Sequence, residues 1–444
     1  MQASGGSTLR LGVSARRLPT VLRVAAVCSV AAGVWIYLNH LVVLSPWHGE
    51  SDLKIYRGAV LWWWDQKPLY SFRLDKTPYG FTYPPVAAVL MLPWAWVTQT
   101  TAMVVNGIVS GLVLLGTTWW LVSPIATRHG WSRWFAVGVA VPLVAVMEPV
   151  RETLGLGQVN LYLVALVLVD VAALRHGRRF AGLGIGLATA IKLTPGLFIV
   201  YLVLTGRWRA AGVAVGTFCA ATLLAFGIDA RASSQFWTET LFQTSRVGPL
   251  EAAPNQSVLG LLARLAVPQA PSDRIWVIGV GVVLAVGMTR ARLAWRRGDE
   301  LAGITLTGLT ACLISPISWT HHLFWVVPAV AVLVDIAAGT PDRPGGWSPV
   351  RGGPRQRAWG AGVAAFGVFA VFALSIVWYV TNTDGDVYGA GPARVVLGNA
   401  YAFVMLALLA LLPARGLPVV GRRRPPSAAL TSAPPLTAIA SDGR

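Results

Sequence analysis

"AMVVNGIVSGLVLLGTTWWLV", residues 102–122, runs for 21 positions without a charged side chain. At 1.5 Å per residue this is the length that crosses the hydrocarbon of a bilayer, and it is far too long for a strand. Comparable apolar runs recur at 24–44, 358–380 and 393–412. Over the 444 residues, 55% are hydrophobic, 12% are charged and the mean hydropathy is +0.61, so there is too little polar surface to coat a soluble core of this size. Lipid offers no partner to a backbone N–H or C=O, and the runs exceed the length of barrel strands, so the spans are helices. The sequence therefore predicts an all-α polytopic membrane protein. The run 24–44 follows Arg10, Arg16, Arg17 and Arg23, is long for a signal-peptide core and has no small-residue cleavage site after it; it reads as a retained first helix.

The formal charge of +18 would point to nucleic acid in a soluble protein. Here the arginines sit in short loops between spans, where they set topology and attract anionic lipid, so membrane lipids are expected partners and nucleic acid is not. Placing basic loops in the cytoplasm and counting crossings gives about 12 transmembrane helices with both ends inside. Residues 1–23 form a cytoplasmic N-terminus, 24–412 the transmembrane domain and 413–444 a disordered cytoplasmic tail rich in Pro, Ser, Ala and Thr. Residues 84–97 read as a short or re-entrant helix, 180–191 with 196–204 as a hairpin, and 228–272 as a long outer loop. The count uses none of the polar motifs, yet it puts all of them outside: "ESDLKIYRGA" at 50–59, "FTYPP" at 81–85, "EPVRETLGLGQVN" at 148–160, "IKLTP" at 191–195, "NQS" at 255–257 and "SWTHH" at 318–322. One outward-facing polar site built from several loops is the economical explanation. No internal repeat is visible, which weighs against a transporter. Cys28, Cys219 and Cys312 are scattered through apolar segments, with no disulfide framework or CxxC site.

Within those motifs, Asp52 and Tyr56 stand four residues apart and share a helical face. A carboxylate just above the membrane beside "LWWW" is suited to a raised pKa and to taking a proton from a hydroxyl; an exposed loop acid is the alternative. Lys192 sits at a "KLTP" break between apolar stretches, where an unpaired ammonium is costly and an anion such as phosphate is its natural partner, unless it snorkels to the interface. Glu148, Arg151 and Glu152 fit either a site or an ion-pair network. The amides of Gln158, Asn160, Asn255 and Gln256 suit sugar hydroxyls and helix caps equally. His321 and His322 are adjacent, so on a helix they point about 100° apart and do not chelate one metal; HExxH spacing is absent. At the mouth of an apolar cavity they can donate hydrogen bonds to a lipid-linked phosphate, or they are a satisfied structural pair. No metal or cofactor is expected, "DGD" at 384–386 being the one weak metal candidate.

Taken in order, "DLKIYR", "FTYPP", "EPVRETLGLGQVN", "IKLTP", "NQS" and "SPISWTHH" resemble the actinobacterial polyprenyl-phosphate-mannose-dependent α-(1→2)-mannosyltransferases that act on phosphatidylinositol mannosides and lipomannan. The resemblance spans roughly residues 20–412. It implies a C-type glycosyltransferase fold, a large first outer loop carrying a catalytic Asp, and a cavity for a polyprenyl donor. On that likeness Asp52 is the general base, while His322, with His321 and Lys192, holds the donor phosphate. Tyr56, Tyr83, Arg151, Gln158, Asn160, Asn255, Gln256 and Trp319, all inside the matching motifs, are the expected substrate-binding residues. The implied reaction passes mannose from polyprenyl-phosphate-mannose to a mannosylated glycolipid at the outer face of the plasma membrane, with inversion. An arabinofuranosyltransferase of the same fold, or a lipid or sugar transporter using Lys192 and Glu148 as coupling charges, are the competing readings.

Overall fold

A computed structural model describes residues 51–267, 269–339, 347–349, 353–380 and 392–416. The expected N-terminus 1–23, the first span 24–44, "DGD" at 384–386 and the tail from 417 onward lie outside the described residues. Among those described, all regular structure is helical, apart from one isolated bridge between Trp347 and Ala414.

The chain enters through α1 (Ser51–Trp64) and α2 (Pro85–Met91), the latter extended by a 3-10 turn at Leu92–Trp96. Then come α3 (Gln99–Arg128), α4 (Arg133–Val146), α5 (Glu148–Leu156), α6 (Asn160–Arg175), α7 (Leu183–Ile191), α8 (Leu197–Leu204) and α9 (Trp208–Ile228). After α10 (Ala230–Thr238) and α11 (Val258–Ala266) follow α12 (Asp273–Arg296), α13 (Glu300–Ile314), α14 (Val326–Ala337), α15 (Pro354–Ala373), α16 (Pro392–Gly398) and α17 (Ala400–Leu411).

Local chemistry sets the ends. Thr98, Ser132 and Ser272 cap α3, α4 and α12 by accepting from backbone N–H groups of the first turn. Met147 is extended, and Pro149 occupies the first turn of α5, where a missing N–H costs nothing; α4 and α5 are therefore bent by 72°. α16 and α17 are bent by 65°.

Among the described residues, four helices, α3, α9, α12 and α15, are long and apolar enough to cross a bilayer alone, and the count reaches six if each bent pair is one span. The chain is a multi-pass helical membrane protein. Of the roughly 12 crossings expected, the first lies outside the described residues, and others correspond to helices too short to pass a test of length. Several apolar segments form helices of 8 to 15 residues, such as α8, α13 and α14, which at 1.5 Å per residue fall short of a 30 Å core. α13 is the extreme case: 13 of its 15 residues are buried, so it is walled by protein on every side and meets no lipid along that stretch.

The loops segregate to two ends. The basic loops gather at one, where Arg415 donates to Asp299 and Asp335, Asp335 also accepts from Arg128 and His129, and Arg207 pairs with Glu300. Ala414 and Arg415, expected in a loose tail, are buried in this clasp. Residues 51–59 and the motifs at 81–85, 148–160, 191–195 and 318–322 meet at the other end.

Candidate active site

Two glycine-dependent approaches shape the polar end. α5 stops at Gly157, whose φ of 69° is left-handed and whose added Cβ would lie 2.7 Å from the Cβ of Leu53. That close approach lays Gln158 directly over Asp52 at the start of α1. At Gly308 the bare backbone of α13 carries the indole of Trp325, which also packs on Phe198 with ring centroids 4.9 Å apart. This seats the turn Thr320–His322 that links α13 to α14.

Gln158 is the hub. Its amide N–H groups face the Asp52 carboxylate, to which one donates, and His321 Nε2 at 3.3 Å; its carbonyl accepts from Tyr83 Oη at 3.1 Å. Tyr56 Oη donates to Tyr83 Oη at 3.1 Å. Asn160 donates to the His321 carbonyl at 3.0 Å and accepts from Lys192 Nζ at 3.3 Å. Lys192 Nζ lies 2.8 Å from His322 Nε2 and 5.4 Å from the centre of the Tyr83 ring. The two imidazoles stand edge to face, 4.4 Å apart.

The backbone N–H of Trp319 donates to His322 Nδ1 at 3.1 Å. A backbone N–H is never an acceptor, so Nδ1 is unprotonated and the neutral ring carries its proton on Nε2. His322 Nε2–H thus donates to Lys192 Nζ at 2.8 Å, which accepts as a neutral amine in this structure; an anionic oxygen entering between the two would instead receive a hydrogen bond from each. Burial pushes the Asp52 carboxyl up from 3.8 to about 6, against the hydrogen bond from Gln158 and the charge of Lys192. Burial likewise brings Lys192 down from 10.5 to about 8. His322 is held well below 6.5, by burial first and then by the charges of Lys192 and His321.

The expected residues divide in two. Asp52, Tyr56, Tyr83, Gln158, Asn160, Lys192, His321 and His322 converge. Trp319 joins them through its backbone, while its indole packs over Gly248. Arg151 turns instead to Ser375 Oγ at 2.6 Å and the Val146 carbonyl at 3.2 Å, with Glu152 at 3.9 Å. Asn255 and Gln256 are wholly buried and spend their amides on backbone: Asn255 on Leu250, Ser257 and Ser318, Gln256 on Ala253, Gly398 and Ala402. They staple the 250–257 loop to the "SPISW" segment and α17 rather than facing the polar network. Glu148 is likewise enclosed, accepting from Trp378 at 2.6 Å and from Tyr401. Sequence reasoning passed over Thr153, which donates to the His321 carbonyl at 3.1 Å, and Gly157; both lie inside "EPVRETLGLGQVN", where the close spacing of polar groups was the available signal.

The helical membrane bundle thus gathers a carboxylate, a lysine and two histidines into one polar network, and comparison with known proteins shows that it is a glycosyltransferase. The chain belongs to glycosyltransferase family 87, whose model matches residues 81–316. That stretch contains Tyr83, Gln158, Asn160 and Lys192, with Asp52 and the histidines flanking it. A polyprenol-phosphate-mannose-dependent α-(1-2)-phosphatidylinositol mannoside mannosyltransferase of Mycobacterium tuberculosis is 35% identical over 297 residues, covering 64% of this chain and 69% of the relative. The similarly named protein of Mycolicibacterium smegmatis is 31% identical over 343 residues, 72% and 77% of the two chains. A phosphatidylinositol pentamannoside mannosyltransferase of the same organism is 26% identical over 407 residues, 89% and 90% of the two. No solved structure matches the chain.

Proposed function

We propose that the protein transfers mannose from polyprenyl-phosphate-mannose to a hydroxyl of a mannosylated lipid glycan, a phosphatidylinositol mannoside or lipomannan, forming an α-(1→2) linkage at the outer face of the plasma membrane. The names of the mycobacterial relatives support the donor and the acceptor class. The observation that carries the reading is the joining of Asp52 to the hydrogen-bonded pair of Lys192 and His322 through Gln158, His321 and Asn160. A C-type fold with about 12 crossings and an outward-facing polar end completes the proposal, the segregation of basic loops to the opposite end being its support.

In this mechanism the acceptor hydroxyl gives its proton to the Asp52 carboxylate as its oxygen bonds to the anomeric carbon. The bond from that carbon to the phosphate oxygen breaks, and its electron pair leaves on polyprenyl monophosphate. A β-linked donor thereby yields an α product. The leaving phosphate is already ionised, so Lys192 and His322 Nε2–H stabilise its growing charge without giving up a proton. Tyr56, Tyr83 and Gln158 hold Asp52 at one wall. Asn255, Gln256 and Arg151 act as positioning residues for the loops that carry the histidines.

The test is a double-mutant cycle. His322→Ala and Lys192→Ala should each lower kcat/KM for the lipid donor by roughly 10²-fold, the order for loss of one preorganised charge-stabilising donor. Because both touch one phosphate, the double variant should lose much less than the product. Full additivity would separate them into different sites.

A further inference from the structure

Away from the polar end, α8 and α12 bound a groove of about 450 Å³. Its apolar walls are Leu197, Val200 and Leu204 on α8 and Leu284 and Met288 on α12. On α12 the stripe runs at four-residue intervals, Leu284, Met288, Arg292, Arg296, so one helical face changes from apolar to cationic toward the basic end of the bundle. Arg292 and Arg296 are exposed. They are also spared from the clasp: its acids Asp299, Glu300 and Asp335 are taken by Arg415, Arg207, Arg128 and His129. Two such guanidiniums at the end of an apolar groove suit an anion carried on a hydrocarbon tail.

We propose that this groove binds an anionic glycerophospholipid from the leaflet at the basic end, one acyl chain lying between α8 and α12 and the headgroup phosphate resting on Arg292 and Arg296. A lipid already in the bilayer gains little from exchanging one apolar neighbour for another, so the groove supplies shape and the arginines supply headgroup choice. The prenyl donor is a poorer occupant, because its phosphate belongs with Lys192 at the other end of α7 and α8, and the arginines would then face a bare hydrocarbon terminus. The site stands independently of the transfer reaction, and its test needs no turnover.

The full chain, purified and delipidated, is titrated with phosphatidylglycerol or phosphatidylcholine of matched acyl chains, and retained lipid is counted by native mass spectrometry. The expected result is preferential retention of phosphatidylglycerol, by roughly 30-fold for two surface arginines, lost in Arg292→Gln/Arg296→Gln and regained in Arg292→Lys/Arg296→Lys. Val200→Trp, at a wall residue that is 44% exposed, should expel the lipid while both arginines remain. Equal retention of the two lipids, a preference that survives the Gln pair, or one that survives Val200→Trp would overturn the proposal. So would one-for-one displacement of phosphatidylglycerol by a polyprenyl monophosphate.

Discussion

At the scale of single residues, the polar network makes opposite demands on two groups. Asp52 must be ionised to accept a proton, and its carboxyl is raised to about 6, so activity should climb as pH rises through that value. Lys192 must be charged to hold phosphate, and burial has lowered it to about 8, so activity should fall as pH passes above that. The profile of kcat/KM for the free enzyme is therefore expected to be a bell with limbs near 6 and 8. Lys192→Arg keeps a charge that does not titrate in this range, so the alkaline limb should vanish even though a planar guanidinium lowers the plateau. An unchanged alkaline limb in that variant would assign it to another group. Asp52, Lys192 and the two histidines were legible in the sequence because a titratable group amid apolar neighbours is costly unless it has work to do. The role of Gln158 was not, because it depends on the approach of Gly157 to Leu53 across about a hundred residues of chain. For Asn255 and Gln256 the sequence left sugar hydroxyls and caps equally open, because an amide looks the same whether its partner is a hydroxyl or a backbone group; in the fold their partners are backbone.

At the scale of elements, α13 organises the bundle and carries the histidine turn at its end. Because Trp325 lies on the bare backbone of Gly308, Gly308→Ala places a methyl inside the indole. The ring must move, at a cost of about 1–3 kcal/mol for overpacking a dense core. The expected outcome is a lower melting temperature in detergent, together with lost activity, because Trp325 directly precedes α14 and follows the His turn. A variant as stable and active as the parent would contradict the packing. Helix existence was readable from the apolar runs, whereas which of those helices face lipid was not. Hydropathy scores a helix buried in protein and a helix bathed in lipid alike, and α13, buried at 13 of 15 positions, is the former.

At the scale of the whole molecule, the basic residues between apolar runs were legible as loop markers, and several of them gather at one end of the bundle. That the acidic groups there would be sealed was not legible. Asp299 and Asp335 are fully buried, and Arg415 spans both. Arg415→Ala leaves Asp299 without its cation, which should cost about 3–5 kcal/mol, measurable as a fall in melting temperature. Adding Asp299→Asn should recover part of it; no change on removing Arg415 would mean the clasp is not holding the chain end. The central claim is that the polar end carries a glycosyl transfer fed by a membrane-borne donor, and one measurement addresses it most directly. Purified protein is given labelled polyprenyl-phosphate-mannose or labelled GDP-mannose with a panel of mannosylated lipids, in parallel with Asp52→Asn. The account predicts α-mannosyl transfer from the prenyl donor alone, falling at least about 10²-fold in Asp52→Asn while donor binding persists. Efficient use of GDP-mannose with the prenyl donor ignored, or normal turnover by Asp52→Asn, would contradict it.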